Sequence, residues 1–244
     1  MSSNSFDYSY LDWDTDFFGV SSGRIVLNDR LTDEDKSLVK EFFSQNQFTV
    51  IYNEDNVAAS NTWLGEETVA SLTDVNVQFS KKALQFSTVL NEEVTISNQL
   101  TASEEILAIA EESFKYSRFF NDPYLDKEKS NKVYWNWVKS SFGKEEKYFV
   151  QYMLDGKCQG FILFSVHDSA IVIELIAVKK TTIQKGIGSQ LLQSLETYAK
   201  DLSTIEEIKV GTQINNVEAV RFYTKNGYIY QSTSSVYHHW NKEE

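Results

Sequence analysis

Between Ile171 and Ser189 the chain reads IVIELIAVKKTTIQKGIGS: an apolar strand, a short polar turn, then a glycine-spaced loop that opens a helix. This stretch constrains the fold more than any other. A strand that hands its chain to a Gly-rich helix start gathers unpaired backbone N–H groups and the positive end of the helix dipole at one point. That is an anion site, and phosphate is its usual occupant. Lys179, Lys180 and Lys185 add local positive charge to a chain of net charge −12. The same acidity argues against a nucleic-acid partner, which needs clustered Lys and Arg.

The spacing of the glycines sorts the phosphate compounds. A dinucleotide loop requires G-x-G-x-x-G, and after Gly186 and Gly188 the third position is Leu191. A mononucleotide loop requires G-x-x-x-x-G-K-[ST], and no such string occurs. What remains is a short Gly-x-Gly turn whose backbone can approach a pyrophosphate closely.

A second pattern lies further on, Asn215-Asn216-Val217-Glu218-Ala219-Val220-Arg221-Phe222-Tyr223-Thr224-Lys225-Asn226-Gly227-Tyr228. Asn216 can cap a helix, Val220 and Tyr223 then share a face with it, and Gly227 sits where a helix ends in a left-handed residue. The two patterns together resemble the signatures of the GNAT-type acyl-CoA N-acyltransferases, Arg/Gln-x-x-Gly-x-Gly/Ala and Asn-x-x-Ala-x-x-x-Tyr-x-x-x-Gly-Phe/Tyr. Ile183 stands where the first signature has Arg or Gln, with Gln184 one place later.

The rest of the chain supplies the elements such a fold needs. Strands are expected near Arg24–Asn28, Phe48–Tyr52 and Val75–Phe79, around a helix Thr32–Gln47 that opens with a Thr-x-x-Asp cap. Val94–Leu100 suits a strand or a linker. Ser103–Lys115 and Asn131–Ser141 carry helical periodicity, separated by an aromatic loop holding Pro123, the only proline. Three strands follow, Tyr148–Leu154, Gly160–Val166 and Ala170–Val178, with Asp155-Gly156 as a hairpin turn. Then come a helix Gly188–Asp201, a strand Glu207–Thr212, a helix Val217–Asn226 and a strand Tyr228–His238. The expected class is α+β: a GNAT-type mixed, mostly antiparallel sheet flanked by helices. A smaller α/β N-terminal domain, 1–98, would contribute to acceptor binding, with the acyltransferase domain over 99–244. Cys158 is the single cysteine, so no intrachain disulfide forms, and its place in a hairpin suits packing. No apolar run approaches about 18 residues, and Met1–Phe6 lacks the parts of a signal peptide, so a cytoplasmic location is expected.

A narrower resemblance spans most of the chain. Leu11-Asp12-Trp13-Asp14-Thr15-Asp16-Phe17-Phe18-Gly19-Val20, the Ser117-Arg118-Phe119 segment with Pro123 and Tyr134–Val138, and Gly211-Thr212-Gln213 are similar to segments of the dTDP-fucosamine acetyltransferase group. That resemblance implies acetyl-CoA as co-substrate and, as acceptor, the 4-amino group of a dTDP-linked 4-amino-4,6-dideoxy sugar. It implies Tyr223 as general acid toward the thiolate, the amides of Gln184, Lys185, Gly186, Ile187, Gly188 and Ser189 on the pyrophosphate, and Asn216 at the pantetheine or the helix start. Backbone N–H groups of Ile176, Ala177 and Val178 would meet the oxyanion. Glu174 is the candidate base, with Asp74, Glu67 and His167 in reserve. Arg118 is the candidate for the acceptor's phosphate, and Phe119, Tyr124 and Trp135 are candidate stacking surfaces. His238 and His239 read as surface or strand residues, and no spacing fits a metal site. A homodimer is compatible with the sequence. Acylation of another small amine or a protein amino group, or CoA binding without chemistry, are the rival readings.

Overall fold

The computed structural model describes residues 5–183 and 185–241. The first part of the chain runs β1 (Phe6–Tyr10), α1 (Asp12–Phe18), β2 (Ser22–Leu27), α2 (Asp33–Ser44), β3 (Phe48–Asn53), α3 (Ala58–Glu67), β4 (Ser71–Lys82) and β5 (Val94–Ser97). The second runs α4 (Glu104–Ser113), α5 (Arg118–Asn121), α6 (Lys127–Ser141), β6 (Tyr148–Leu154), β7 (Lys157–His167), β8 (Ala170–Val178), α7 (Ile187–Asp201), β9 (Glu207–Gln213), α8 (Val217–Lys225) and β10 (Ile229–Trp240). The expected mixed sheet is present, with additions the sequence reading lacks: β1, α1, α3 and, within the aromatic loop, the short α5.

All ten strands join in one sheet, ordered β1-β2-β3-β10-β4-β9-β8-β7-β6-β5. Only β2–β3 and β8–β9 pair in parallel. The division expected near residue 98 does not interrupt this sheet. Strand β4 of the N-terminal part lies between β9 and β10, while β5 pairs with β6 at the far edge.

Helix starts follow the local chemistry. Thr32 and Asp35 form a reciprocal capping box at α2, and Ser103, Asp126 and Asn216 each accept a backbone N–H at the starts of α4, α6 and α8. The helices sort onto two faces. On one, α7 packs Leu191, Leu192 and Leu195 over Ile162, Phe164, Ile171 and Ile173, and α2 and α3 bring Val39, Phe43 and Trp63 over Ile25 and Ile51. On the other, α4 and α6 bring Ile106, Ile109, Val133 and Val138 over Phe161, Leu163, Leu175 and Ala177.

Of the two places open to His238 and His239, surface or strand, the structure gives the strand: both are buried in β10. They point to opposite faces: His239 stacks on Phe43 of α2, ring centroids 4.0 Å apart, and His238 meets Asp122 on the other side.

Candidate active site

The sheet opens between β8 and β9, one of its two parallel pairs. Pairing of β8 with β9 runs from Ala170–Glu207 to Ile173–Val210 and stops there, although β8 continues to Val178 and β9 to Gln213. On the other side of β8, the register to β7 shifts between Leu163–Leu175 and Phe164–Ile173, leaving Glu174 without an opposite residue. Glu174 is therefore a β-bulge, which bends its strand and twists it away from the neighbour. Beyond the bulge, Lys179 N donates to Gln159 O. Antiparallel pairs alternate between bonded and non-bonded, so Ala177 and Leu175 bond to β7. The N–H and C=O groups of Ile176 and Val178 consequently face the gap.

The glycine loop closes one end of this gap. Gly186 is the residue before α7 and has φ of 80°, left-handed backbone that favours glycine, and no side chain caps the helix. The first amides of α7 are thus free of side-chain caps and point along the helix dipole. Lys185 beside them is exposed. Gly188 allows a close approach: a Cβ there would lie 3.1 Å from the Phe222 ring, so α8 packs directly against the start of α7. These groups fit a pyrophosphate-bearing co-substrate in composition and direction. Gln184, also assigned to that role by sequence, lies outside the described residues.

Tyr223 projects from α8 into the same side of the sheet, among Phe79, Phe222 and Tyr228, with ring centroids 5.4–6.0 Å away. Burial alone raises its phenol well above the usual tyrosine range, so it stays protonated at any working pH. Asn216 Oδ1 accepts from Ala219 N at 3.1 Å, fixing the start of the helix that carries Tyr223. Glu174 is otherwise engaged: one carboxylate oxygen pairs closely with Lys147 Nζ, and the other accepts from Trp137 Nε1 at 3.2 Å. It holds the bulge to α6 and is not presented as an unpaired base. Cys158 is buried and bonded to Gly160 O, and burial raises its thiol to about 11, as befits a packing residue.

The opposite face carries two cavities that share Asp14 and Arg118. One, of 290 Å³, is aromatic, lined by Trp13, Phe119, Val133, Trp137 and Ser140 as well. The other, of 390 Å³, is polar, with Arg24, Tyr52, Glu54, Asn76, Gln78 and Ser234 among its walls. Arg118 sits where a buried network meets both. Its Nη1 is 3.2 Å from His238 Nε2, and its Nη2 is 3.6 Å from Asp14 Oδ1. Burial raises the Asp14 carboxyl, opposed by Arg118. Asp74, buried on β4 beside this network, is pushed up to about 6, chiefly by burial.

Of the acceptor residues expected from sequence, the structure brings Arg118 and Phe119 to these cavities. Trp135 and Tyr124 are not among the lining residues. Trp135 packs against the α4–α6 core under Lys139 Nζ, and Tyr124 is 57% exposed near Trp240. Trp137, two residues on, takes the wall position instead. The reading also missed Arg24, Asn76 and Gln78. The alternation Asp74, Asn76, Gln78 opposite Val75, Val77, Phe79 was its available signal: a polar face on what proves an interior strand. Among the described residues, no group of three or more metal-ligating side chains occurs, and no helix is long and apolar enough to cross a membrane.

Residues 105–228 match the family model described as Acetyltransferase (GNAT) family. The chain is 27% identical over 142 residues to the spore coat polysaccharide biosynthesis protein SpsD of Bacillus subtilis, covering 58% of this chain and 49% of that protein. It is 37% identical over 75 residues to the uncharacterized N-acetyltransferase MJ1530 of Methanocaldococcus jannaschii, covering 31% of this chain and 48% of that protein. The matches thus span about half the length of these curated relatives. Among solved structures, a functionally unknown conserved protein from Staphylococcus epidermidis superposes with a TM-score of 0.67 at 14% identity, over 99% of this chain and 94% of that one. A GCN5-related N-acetyltransferase from Sphaerobacter thermophilus follows at 0.61 and 11%, over 97% and 76%.

Proposed function

The chain belongs to the GNAT acetyltransferase family, and from that membership we propose that it moves the acetyl group of acetyl-CoA to the amino group of a nucleotide-linked sugar, a dTDP-4-amino-4,6-dideoxy sugar. The observation that carries the transferase reading is the loss of β8–β9 pairing after Ile173–Val210, beside a helix start built on Gly186.

In this reading acetyl-CoA lies on the α7–α8 face, its pyrophosphate on the amides from Lys185 to Ser189. Its thioester reaches into the gap faced by Ile176 and Val178. The acceptor lies on the opposite face, where the N-terminal segment 1–98 supplies most of the polar cavity. The amine attacks as its free base, having lost a proton to water through that open cavity. A C–N bond forms, the carbonyl oxygen takes up negative charge that backbone N–H groups of β8 stabilise without reorganisation, and the nitrogen, now cationic, loses its second proton to water through the same open cavity. As the C–S bond breaks, the Tyr223 hydroxyl gives its proton to the departing sulfur, and once the free thiol has left, water entering the emptied gap returns a proton to the phenolate. Glu174 holds the bulge in place. Two features favour a sugar acceptor: a relative whose name places it in polysaccharide biosynthesis, and a cavity walled by hydrogen-bonding side chains next to an aromatic one. The reaction would take place in the cytoplasm, where acetyl-CoA is available.

The test is thiol release by the purified chain with acetyl-CoA and dTDP-4-amino-4,6-dideoxygalactose, set against a panel of small amines and peptide amines. Release with the nucleotide sugar alone is expected. Faster release with another amine would replace the acceptor. Tight acetyl-CoA binding with no release across the panel would leave a binding module.

A further inference from the structure

The polar cavity is lined by two arginines whose surroundings differ. Arg118 is internally committed. It contacts Asp14 and His238, lies over the Phe119 ring at 4.1 Å, and its side chain is only 13% exposed. Its charge is already compensated by a buried carboxylate, and displacing that partner would strand Asp14 without its counter-charge. Arg24, by contrast, is an exposed residue of β2. Its guanidinium stands 5.2 Å over the ring of Tyr52, and among the described residues no carboxylate is in ion-pair contact with it.

The sheet places the two side by side. Arg24 is in register with Val50, and Val50 with His238, whose ring holds Arg118. Two strand spacings, about 10 Å, therefore separate the backbone of Arg24 from that of His238. An anion entering the polar cavity meets, at the β2 side, a guanidinium held over a ring and in ion-pair contact with no carboxylate among the described residues, and at the back one already paired with Asp14. Guanidinium on an aromatic ring keeps its edge free for bidentate bonds to a phosphate, and its orientation costs little further entropy.

We infer that Arg24, steadied by Tyr52, recognises the phosphate-bearing end of the acceptor, and that Arg118 is the wall of the cavity against which the acceptor lies. The inference rests on the nucleotide-sugar reading and adds to it a residue outside the matched family region of 105–228. Arg24 is then the residue that selects a nucleotide-linked amine over a free amino sugar.

The test is calorimetric binding of dTDP to the full chain saturated with acetyl-CoA, so that the co-substrate's own pyrophosphate site is filled. Wild type, Arg24→Gln and Arg24→Lys would be compared, with the acetyl-CoA KM and Tm of each measured alongside. Loss of a charge-assisted contact is expected to weaken dTDP binding about tenfold or more in Arg24→Gln. Arg24→Lys should fall between, because it keeps the charge but loses the planar fork. Acetyl-CoA KM and Tm should stay at wild-type values, since Arg24 is exposed and packs on no core residue but Tyr52. If wild type and Arg24→Gln bind dTDP equally, the role of Arg24 is overturned while the nucleotide-sugar reading survives. If wild type neither binds dTDP nor acetylates the dTDP-linked amine, that reading falls and the inference falls with it.

Discussion

His238 Nδ1 lies 2.5 Å from Asp122 Oδ2, and this contact fixes the tautomer of a buried ring. Arg118 can only donate, so His238 Nε2 must accept from it, and the ring proton sits on Nδ1. Burial, with the nearby Arg118 charge, lowers the imidazole to about 4 against the opposing pull of Asp122, so the ring is neutral at physiological pH. Asp122 takes three donors in all: His238 Nδ1 and Trp240 Nε1 on Oδ2, and Tyr124 N on Oδ1. Burial acts to raise its carboxyl, but these hydrogen bonds outweigh it and hold the group below the usual range.

Asp122→Asn should therefore destabilise the fold although it keeps the shape of the side chain. Either amide orientation sets an N–H against one of three donors, leaving at least one buried donor unmet. The expected loss is about 2 kcal/mol, read from urea unfolding. The acceptor KM should rise as Arg118 loses its fixed direction, while the acetyl-CoA KM stays constant. Wild-type stability in this variant would show that the carboxylate is not needed by its donors.

Tyr223→Phe retains the ring contacts with Phe79, Phe222 and Tyr228 and removes only the proton donor. We expect kcat for thiol release to drop about tenfold or more, with Tm within a degree or so of wild type for so conservative a change. Turnover at the wild-type rate would remove Tyr223 from the mechanism.

Gly186→Ala tests the backbone of the loop. A Cβ at φ of 80° costs about 1–2 kcal/mol, and to relieve it the loop must move the first amides of α7. Thermal unfolding should show the loss. The acetyl-CoA KM should rise more than kcat falls, because in the proposed mechanism the loop binds the co-substrate and does no chemistry. An unchanged KM would place the pyrophosphate elsewhere.

The glycine loop, the capped Tyr223 helix and the succession of elements along the chain from β6 to β10 were legible in the sequence because each depends on near neighbours in the chain. Asn216 caps Ala219, Gly186 starts α7, and Asp155-Gly156 turns the β6–β7 hairpin with both residues at positive φ. Glu174 shows where such reading ends. Period-two alternation puts it on one face of a regular strand, but the bulge breaks that period, and Lys147 and Trp137 reach it from distant elements. The two cavities that share Arg118 were hidden for the same reason. Arg24, Tyr52, Asn76 and Arg118 meet only because β4 and β10 bring the N-terminal strands alongside β9, a pairing with no local signature.

His239 predicts a pH dependence. Its ring stacks on Phe43, and burial lowers it from 6.5 to about 4. Above 6.5 the ring is neutral whether the chain is folded or not. As pH falls from 6.5 toward 4 the unfolded chain takes up a proton the folded one does not, so stability declines across that window. The loss should approach roughly 3 kcal/mol for this ring. His238, lowered similarly, contributes to the same slope. His239→Phe, which preserves the stack, should flatten about half of this decline in urea midpoints measured from pH 7 to pH 4. An unaltered slope would mean that His239 is solvated in the folded protein.

The strand order bears on how the molecule can be made. Strand β10 is held on one side by β3 and on the other by β4, as in Val50–His238 and Asp74–Val236. Until those distant partners have met, β9 keeps a bare edge and β10 has no neighbours at all. Such long-range closure comes late and slowly. During that interval the unpaired backbone edges of Glu207–Gln213 and Ile229–Trp240 are open to pairing with another copy of the chain. Expressing residues 99–244 alone would make this state permanent, so the transferase half should be recovered as aggregate unless 1–98 is supplied with it.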